Sequence, residues 1–547
     1  MELFSKSAYP SASECAVCHP KHWDEWRTSS HSYSFTSPMF HKFEQTISEL
    51  SQGTVGYFCQ RCHSPIGTAM NIDRSTKYYE LPRVAREGVT CIVCHRINEQ
   101  YGRNNGERRV IPGPITDPVY GSFGGDGVEK ALANKSQYKV KANSDEPGPG
   151  QVIHNEGRFF RQLQYAEFCT SCHQVAVQPN IKLEIVWDQY RRSPACRQGI
   201  TCQDCHMGKD PGEPHGYEYT SIAEVGGLSV NENRKHANHS FYGPNASIAH
   251  PGVYPFNNDA QRWQPDEWTQ YDWRAGWGTD EFEEKVEEGL VQVNFPEVWS
   301  DPDDRYDARA IIEDNQALLG NKNANRRKVM GHSLKVQGPF FKFQPESGED
   351  LDLHYDITNL NAGHNVLTAS LGAQPQYWAN VVLVGPDGQR LWETGYVDSD
   401  GDVADYHSVD VHEGRVPFDR QLFNLQAFFL ITGVIGTDRE LPVPVNVSFD
   451  QLPFLRPGNI PTTVTNHPPF IRMESRSLAP LASKRVKYRI PGELVKQPGR
   501  YRLSFRMRNR IEPIYFMRFC NTTEDMVRAM LESTLDTNVQ SVEFWVK

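Results

Sequence analysis

The sequence has no run of about eighteen consecutive apolar residues, so no segment of it reads as a membrane-crossing helix. It is also short of packing material: hydrophobic residues are 38% of a 547-residue chain, a thin polypeptide core for that length. The opening residues, MELFSKSAYPSASE, lack the apolar stretch of a secretory leader. Long basic runs are missing and the net charge is −11, which repels a phosphate backbone and argues against a nucleic-acid partner. The same acidic balance suits a small basic redox partner protein. Aromatic residues reach 11%, too many for a chain disordered throughout. At ordinary domain sizes the length corresponds to about three compact units.

What the chain does have is cysteine in a strict pattern. Ten of its twelve cysteines form five Cys-x-x-Cys pairs, and a histidine follows every pair at once. The five are Cys15, Cys18 and His19; Cys59, Cys62 and His63; Cys91, Cys94 and His95; Cys169, Cys172 and His173; and Cys202, Cys205 and His206. This is the attachment pattern of c-type haem. The two thiols add across the two vinyl groups, and the histidine lies under the iron as its proximal ligand. Structural zinc takes four-ligand sets and has no need of a histidine beside every pair. With 19 histidines in 547 residues, composition alone would produce five such placements with a probability of about 5 × 10⁻⁸. Five covalently bound haems are therefore expected, and their porphyrins would supply the apolar bulk that the polypeptide lacks. Haem attachment of this kind is an export-side reaction. The chain is accordingly expected in the periplasm or at the cell surface, its leader already removed.

The sixth iron ligand divides the possible functions. A protein ligand there saturates the iron and leaves it to pass electrons, whereas an open position lets it bind and transform a substrate. Residues 1–255 hold eight histidines outside the motifs, which is enough for five irons. His31, His41, His154, His215, His236 and His239 are the candidates. His22, only three residues from His19, and His250 rank behind them. Saturation by two histidines per iron is the economical reading, which makes the chain an electron carrier with no catalytic residue. One open haem would instead make it an oxidoreductase acting on a small nitrogen or sulfur compound.

The rest of the chain changes character twice. Residues 1–255 carry all the motifs, two pairs of them separated by short gaps, with Gly/Pro-rich loops from Gly102 to Gly150. Residues 256–333 form a connecting segment rich in tryptophan (Trp263, Trp268, Trp273, Trp277 and Trp299), with helices expected from Asp280 to Glu288 and from Asp304 to Leu319, the second ended by Gly320. The tryptophans are read as packing groups. From 334 to 547 the period becomes two, as in Leu351, Leu353, Tyr355 and Ile357, in Tyr501, Leu503, Phe505 and Met507, and in a last strand at Val542–Val546. The expected architecture is an irregular, mainly α multihaem domain, a short helical segment and a C-terminal β-sandwich. Within the last part, VDSDGDVAD gathers Asp398, Asp400, Asp402 and Asp405, either as hard oxygen ligands for one calcium ion or as a solvated acidic turn. Cys196 and Cys520 are left over, to pair in an oxidising compartment or to stand as separate thiols.

The series CAVCHPKHWDEWRTSSH, FCQRCHSP, EGVTCIVCHRI, FCTSCH, GITCQDCHM and HSFYG resembles the multihaem cytochromes c related to hydroxylamine oxidoreductase and its tetrahaem electron-acceptor cytochromes. NAGHNVLTASLG is similar to the GHxxPTG-type element that opens a β-domain in some longer members, with Leu367 in place of its proline. The resemblance implies closely stacked haem pairs and mostly bis-histidine ligation, and it supports His31 and His239 as distal ligands. Some relatives polymerise as extracellular cytochrome filaments, so copies of the chain itself join redox proteins as expected partners. Five motifs stand here where the tetrahaem members have four. The atypical Cys-x-x-Cys-Lys site of catalytic relatives is missing.

Overall fold

In this computed structural model the described residues are 8–99, 104–177, 181–342, 344–368, 370, 374–432, 441–443, 470–474 and 476–547. They divide into two compact units. The first comprises residues 1–41, 57–172 and 201–326, and the second comprises 42–56, 173–200 and 327–547. The stretch from 256 to 326 thus belongs with the motifs, and residues 42–56 and 173–200 belong with the C-terminal strands. The boundary near residue 326 falls inside one helix, Pro302–Ser333.

Apart from the long helix, whose residues 302–326 belong to it, the first unit is built of short helices and two-stranded ladders of two or three residues. Its apolar core is split into small clusters, and several of these carry a motif cysteine at the edge. Cys91 packs beside Ala12, Trp26 and Phe256. Cys59 packs beside Phe35, Phe40 and Leu81, and Cys18 beside Val128 and Val140.

A separate cluster holds Trp263, Trp268, Trp277 and Trp299, which pack on one another and on Ala308 and Ile312 of the long helix. Ring centroids of Trp263 and Trp299 are 4.9 Å apart, and the Trp268 and Trp299 indole nitrogens donate to the Ala260 and Glu267 carbonyls. Beneath them the buried Arg305 guanidinium grips the Glu283 carboxylate. The helix before it, Asp280–Glu287, is capped by the Thr279 hydroxyl, which accepts from the Phe282 N–H. The long helix does not stop at Gly320. That glycine lies on an exposed face with no positive φ, so it does not form the left-handed cap that ends a helix, and the chain stays helical to Ser333.

Among the described residues the second unit contains four antiparallel sheets, two of which build its main core. One has three strands, in the order Leu334–Phe341, Leu351–Asn359, Ser483–Ile490. The other has four, in the order Arg390–Thr394, Gln376–Val384, Gly499–Arg510, Leu535–Val546. Tyr355 pairs with Val486 in the first sheet, and Val381 with Phe505 in the second. Alternate residues of both sheets meet in one core, where Leu353, Tyr355 and Ile357 face Val381, Leu503 and Phe505. Strand periodicity is thereby converted into one buried face per sheet.

Two alternatives that the sequence left open are met in this unit. Cys196 and Cys520 are both free thiols, not a disulfide, and Cys520 is buried with its pKa pushed up to about 12. The acidic turn is filled by protein donors. Asp398 accepts from the Asp400 and Asp402 amides and the Ser408 hydroxyl, Asp402 accepts from the Tyr515 amide, and Arg518 bridges Asp400 and Asp402 at 2.9 and 3.2 Å. Among the described residues no group of three or more acidic, histidine or cysteine side chains is arranged to hold a metal ion. Most of the carboxylate oxygens of the turn therefore have protein donors, whereas Asp405 Oδ2 is buried without a hydrogen-bond partner. The His364 side chain sits in the turn that follows Leu351–Asn359, with Nδ1 2.9 Å from the Asn365 carbonyl. Part of its motif, residues 369, 371 and 372, lies outside the described residues.

Candidate haem-attachment sites

Each motif lies on or beside a helical turn, which is what a three-residue spacing needs if both thiols are to lie on one face. Ser11 and Glu14 close a capping box on Ala12–Ala16, and Thr201 and Asp204 do the same for Cys202–His206. The third motif is the helix Cys91–His95. The second ends in the helix Gln60–His63, and the fourth begins in the 3₁₀ turn Ala166–Ser171. The amides of His19 and His63 donate to the Cys15 and Cys59 carbonyls at 2.9 and 3.2 Å, which fixes histidine one turn beyond the first thiol.

The proximal histidines share a hydrogen-bonding rule. Nδ1 lies 2.5 Å from the Ile222 carbonyl in His19, 2.8 Å from Ser34 in His63, 2.7 Å from Tyr120 in His95 and 2.6 Å from Tyr242 in His206. A carbonyl only accepts, so Nδ1 carries the proton and Nε2 is the basic nitrogen left for a metal. His173 differs: its Nδ1 is 3.2 Å from the Glu184 carboxylate. Burial holds His19 and His95 below the usual histidine range, so they are neutral imidazoles, the form that ligates. These features fit a c-type haem at each motif: ten thiols outside disulfides and five histidines whose second nitrogen is oriented by a partner. Bound there, the haem iron supplies one-electron redox chemistry.

The motifs also touch. The Cys15 and Cys91 thiols lie close enough to interact, and this, with burial, pushes the Cys91 pKa well up. Cys169 and Cys202 make the same contact. The buried Cys94 thiol, raised to about 11, feels the charges of both Cys169 and Cys172. The second motif joins through Gly106, whose N–H donates to the Ser171 carbonyl at 2.6 Å. A Cβ on Gly106 would lie 2.9 Å from the Cys62 sulfur and 2.6 Å from Arg61 Cβ, and its φ is +70°, so only glycine allows this approach. The order of contact is first, third, fourth and fifth motif, with the second beside the fourth.

The other histidines fall into distinct settings. The His239 ring centroid is 6.3 Å from that of His95, at 27° between planes, and its Nδ1 is 2.7 Å from the Ala237 carbonyl. Metal–imidazole bonds of about 2 Å place two ring centroids on one metal about 6 Å apart. Burial, then the charge of His95, pushes the His239 pKa down to about 3. His154 is pushed down to about 4 by burial and then by the charge of His19. His41 is also pushed down to about 4, with Nε2 2.6 Å from the Phe35 carbonyl and His63 among the charges it feels. The His31 ring lies 4.0 Å from Phe241.

His236 is buried with Nε2 at 2.7 Å from Glu25, and His215 is exposed beside Asp210. His250 gives Nε2 to the Tyr271 carbonyl. His22, ranked low by its spacing, sits in the middle of a histidine group, 5.7 Å from His19, 4.7 Å from His236 and 4.8 Å from His239. The only sequence signal for that place is its position one helical turn after His19.

Comparison with known proteins agrees with this chemistry over the N-terminal part. The family model of cytochrome c554 and c-prime matches residues 14–96, a stretch that holds the first three motifs. No curated protein matches the chain. Among solved structures, the alkylpurine DNA glycosylase AlkC of Pseudomonas fluorescens, bound to DNA containing an abasic-site analogue, is similar at a TM-score of 0.13. The identity is 10%, over 44% of this chain and 38% of that one, and a similarity so low carries no argument. The family match supports reading the chain as a c-type cytochrome, with covalently bound haem and a role in electron transport.

Proposed function

We propose that the chain is an exported pentahaem cytochrome that conducts electrons along a continuous series of haems, each iron held between two histidines. The observation that carries this reading is the contact between motifs. A motif cysteine lies at the vinyl edge of its own haem. Thiols of different motifs in contact, as Cys15 with Cys91 and Cys169 with Cys202, therefore bring haem edges together. Close edges with saturated irons favour transfer over catalysis. In this reading His239 is the distal ligand of the His95 iron, and His154 that of the His19 iron. Redox proteins, or further copies of the chain joined in a filament, give and take the electrons. Intact mass and a reductive titration test the proposal together. Five haem increments and five electrons per chain are expected, and a smaller number of either contradicts it.

A further inference from the structure

The helix Pro302–Ser333 presents Lys322 and Arg326, one turn apart, to a cavity of about 550 Å³ in the first unit. Lys21 and Asp24, on the side of the helix Pro20–Trp26 away from His19 and His22, line the facing wall together with Thr28. None of the ten motif cysteines or five motif histidines borders this space, but Pro20, beside His19, and Tyr242, whose carbonyl meets His206 Nδ1, do.

Three basic and three acidic side chains border it, and Lys322 finds no acceptor among them. Asp24 pairs with Arg27 at 2.9 Å, and Lys21 pairs with Glu218 at 2.5 Å. The Glu25 carboxylate accepts from His236 Nε2 and from the His239 amide, and Glu224 is exposed to water. On the helix side, Lys322 Nζ is buried with no hydrogen-bond acceptor and lies over the Tyr33 and Tyr254 rings at 5.3 and 5.5 Å. Arg326 is 4% exposed and gives Nε to the Pro244 carbonyl. A buried ammonium without an anion is costly, and burial together with the Arg326 charge holds the Lys322 pKa down to about 7. The Ser30 and Ser240 hydroxyls border the same space and can donate to an anion's oxygens.

We propose that this cavity is an oxyanion site, with Lys322 and Arg326 as its cationic wall. Phe241 also lines it and lies 4.0 Å from the His31 ring and 5.7 Å from the His239 ring. An anion bound there is one side chain away from candidate axial histidines. The oxyanion has two possible sources: a free inorganic ion, or a propionate carboxylate of the chain's own haem. The second rests on the haem reading above; the first does not.

Two measurements on the haem-loaded full chain separate them. Calorimetric titration with sodium sulfate, and separately with nitrite, should give one site per chain, weakened at least tenfold by Lys322→Gln and retained by Lys322→Arg. A wild-type chain that binds neither ion, yet whose infrared carboxylate band for one haem propionate shifts in Lys322→Gln, assigns the site to the propionate. No binding of either ion and no propionate shift overturns the proposal. The wild-type titration does not depend on how the variants fold. A haem count below five alongside sulfate binding would contradict the pentahaem reading and leave this one standing.

Discussion

His173 is the odd member of the proximal set, because its Nδ1 faces a carboxylate where the other four face a carbonyl. A carboxylate pulls harder on the Nδ1 proton, makes the imidazole a stronger donor and favours ferric over ferrous iron. Glu184→Gln should raise the midpoint potential of one haem by on the order of 59 mV, the equivalent of tenfold in a one-electron equilibrium. Spectropotentiometry reads this, with the other four midpoints unmoved. At the other end of an iron, His239→Ala should convert one low-spin haem to high spin, measured by the ferric visible spectrum. In the second unit, burial pushes the Glu512 carboxyl from the ordinary 4.5 up to about 8. Between those values the folded state keeps a proton that the unfolded chain releases. This stability is therefore full below pH of about 4.5 and is lost as pH rises through about 8. Thermal melts should show that loss, and Glu512→Gln should flatten it. At this scale the cysteines and proximal histidines were legible because covalent chemistry fixes their spacing. Their orienting partners were not. Ile222 lies 203 residues from His19, and a backbone carbonyl is a group every residue has.

Among the elements, the helix Pro302–Ser333 shows what local signals miss. Its start was legible in the acidic first turn, but Gly320 marked a false end. A glycine inside a helix costs about 1 kcal/mol relative to alanine, less than packing can offset. Here Ala308, Ile312 and Met330 are fully or almost fully buried on either side of it. Because a Cβ at Gly320 would meet nothing within 4 Å, Gly320→Ala should stabilise the protein by about 0.5–1 kcal/mol, read as a higher melting temperature. The last strand was read as Val542–Val546, yet it runs from Leu535. Its first half puts only Leu535 and Thr537 on the buried face and is paired with Phe505–Asn509, which leaves too short a hydrophobic alternation to see. The partners of the acidic turn were hidden in another way: its carboxylates have calcium-like spacing, but Arg518, which pairs with Asp400 and Asp402, is more than a hundred residues away.

For the whole molecule, five motifs far apart in sequence come together as one contact series, and this is what makes conduction the favoured function. The thin core seen in the composition reappears as small apolar clusters in the first unit, several with a motif cysteine at the edge. Porphyrins would complete those clusters, so removing haem should unfold the first unit. Chains produced without haem attachment should therefore lose its protease resistance, and the second unit, with its own continuous core, should keep it. The most direct test of the central claim is low-temperature electron paramagnetic resonance of the fully oxidised protein, integrated for ferric iron. The account predicts five low-spin haems per chain and no high-spin signal. One high-spin haem in five would mean an open iron, contradict a chain of saturated carriers, and make the protein an oxidoreductase with a substrate still to be found.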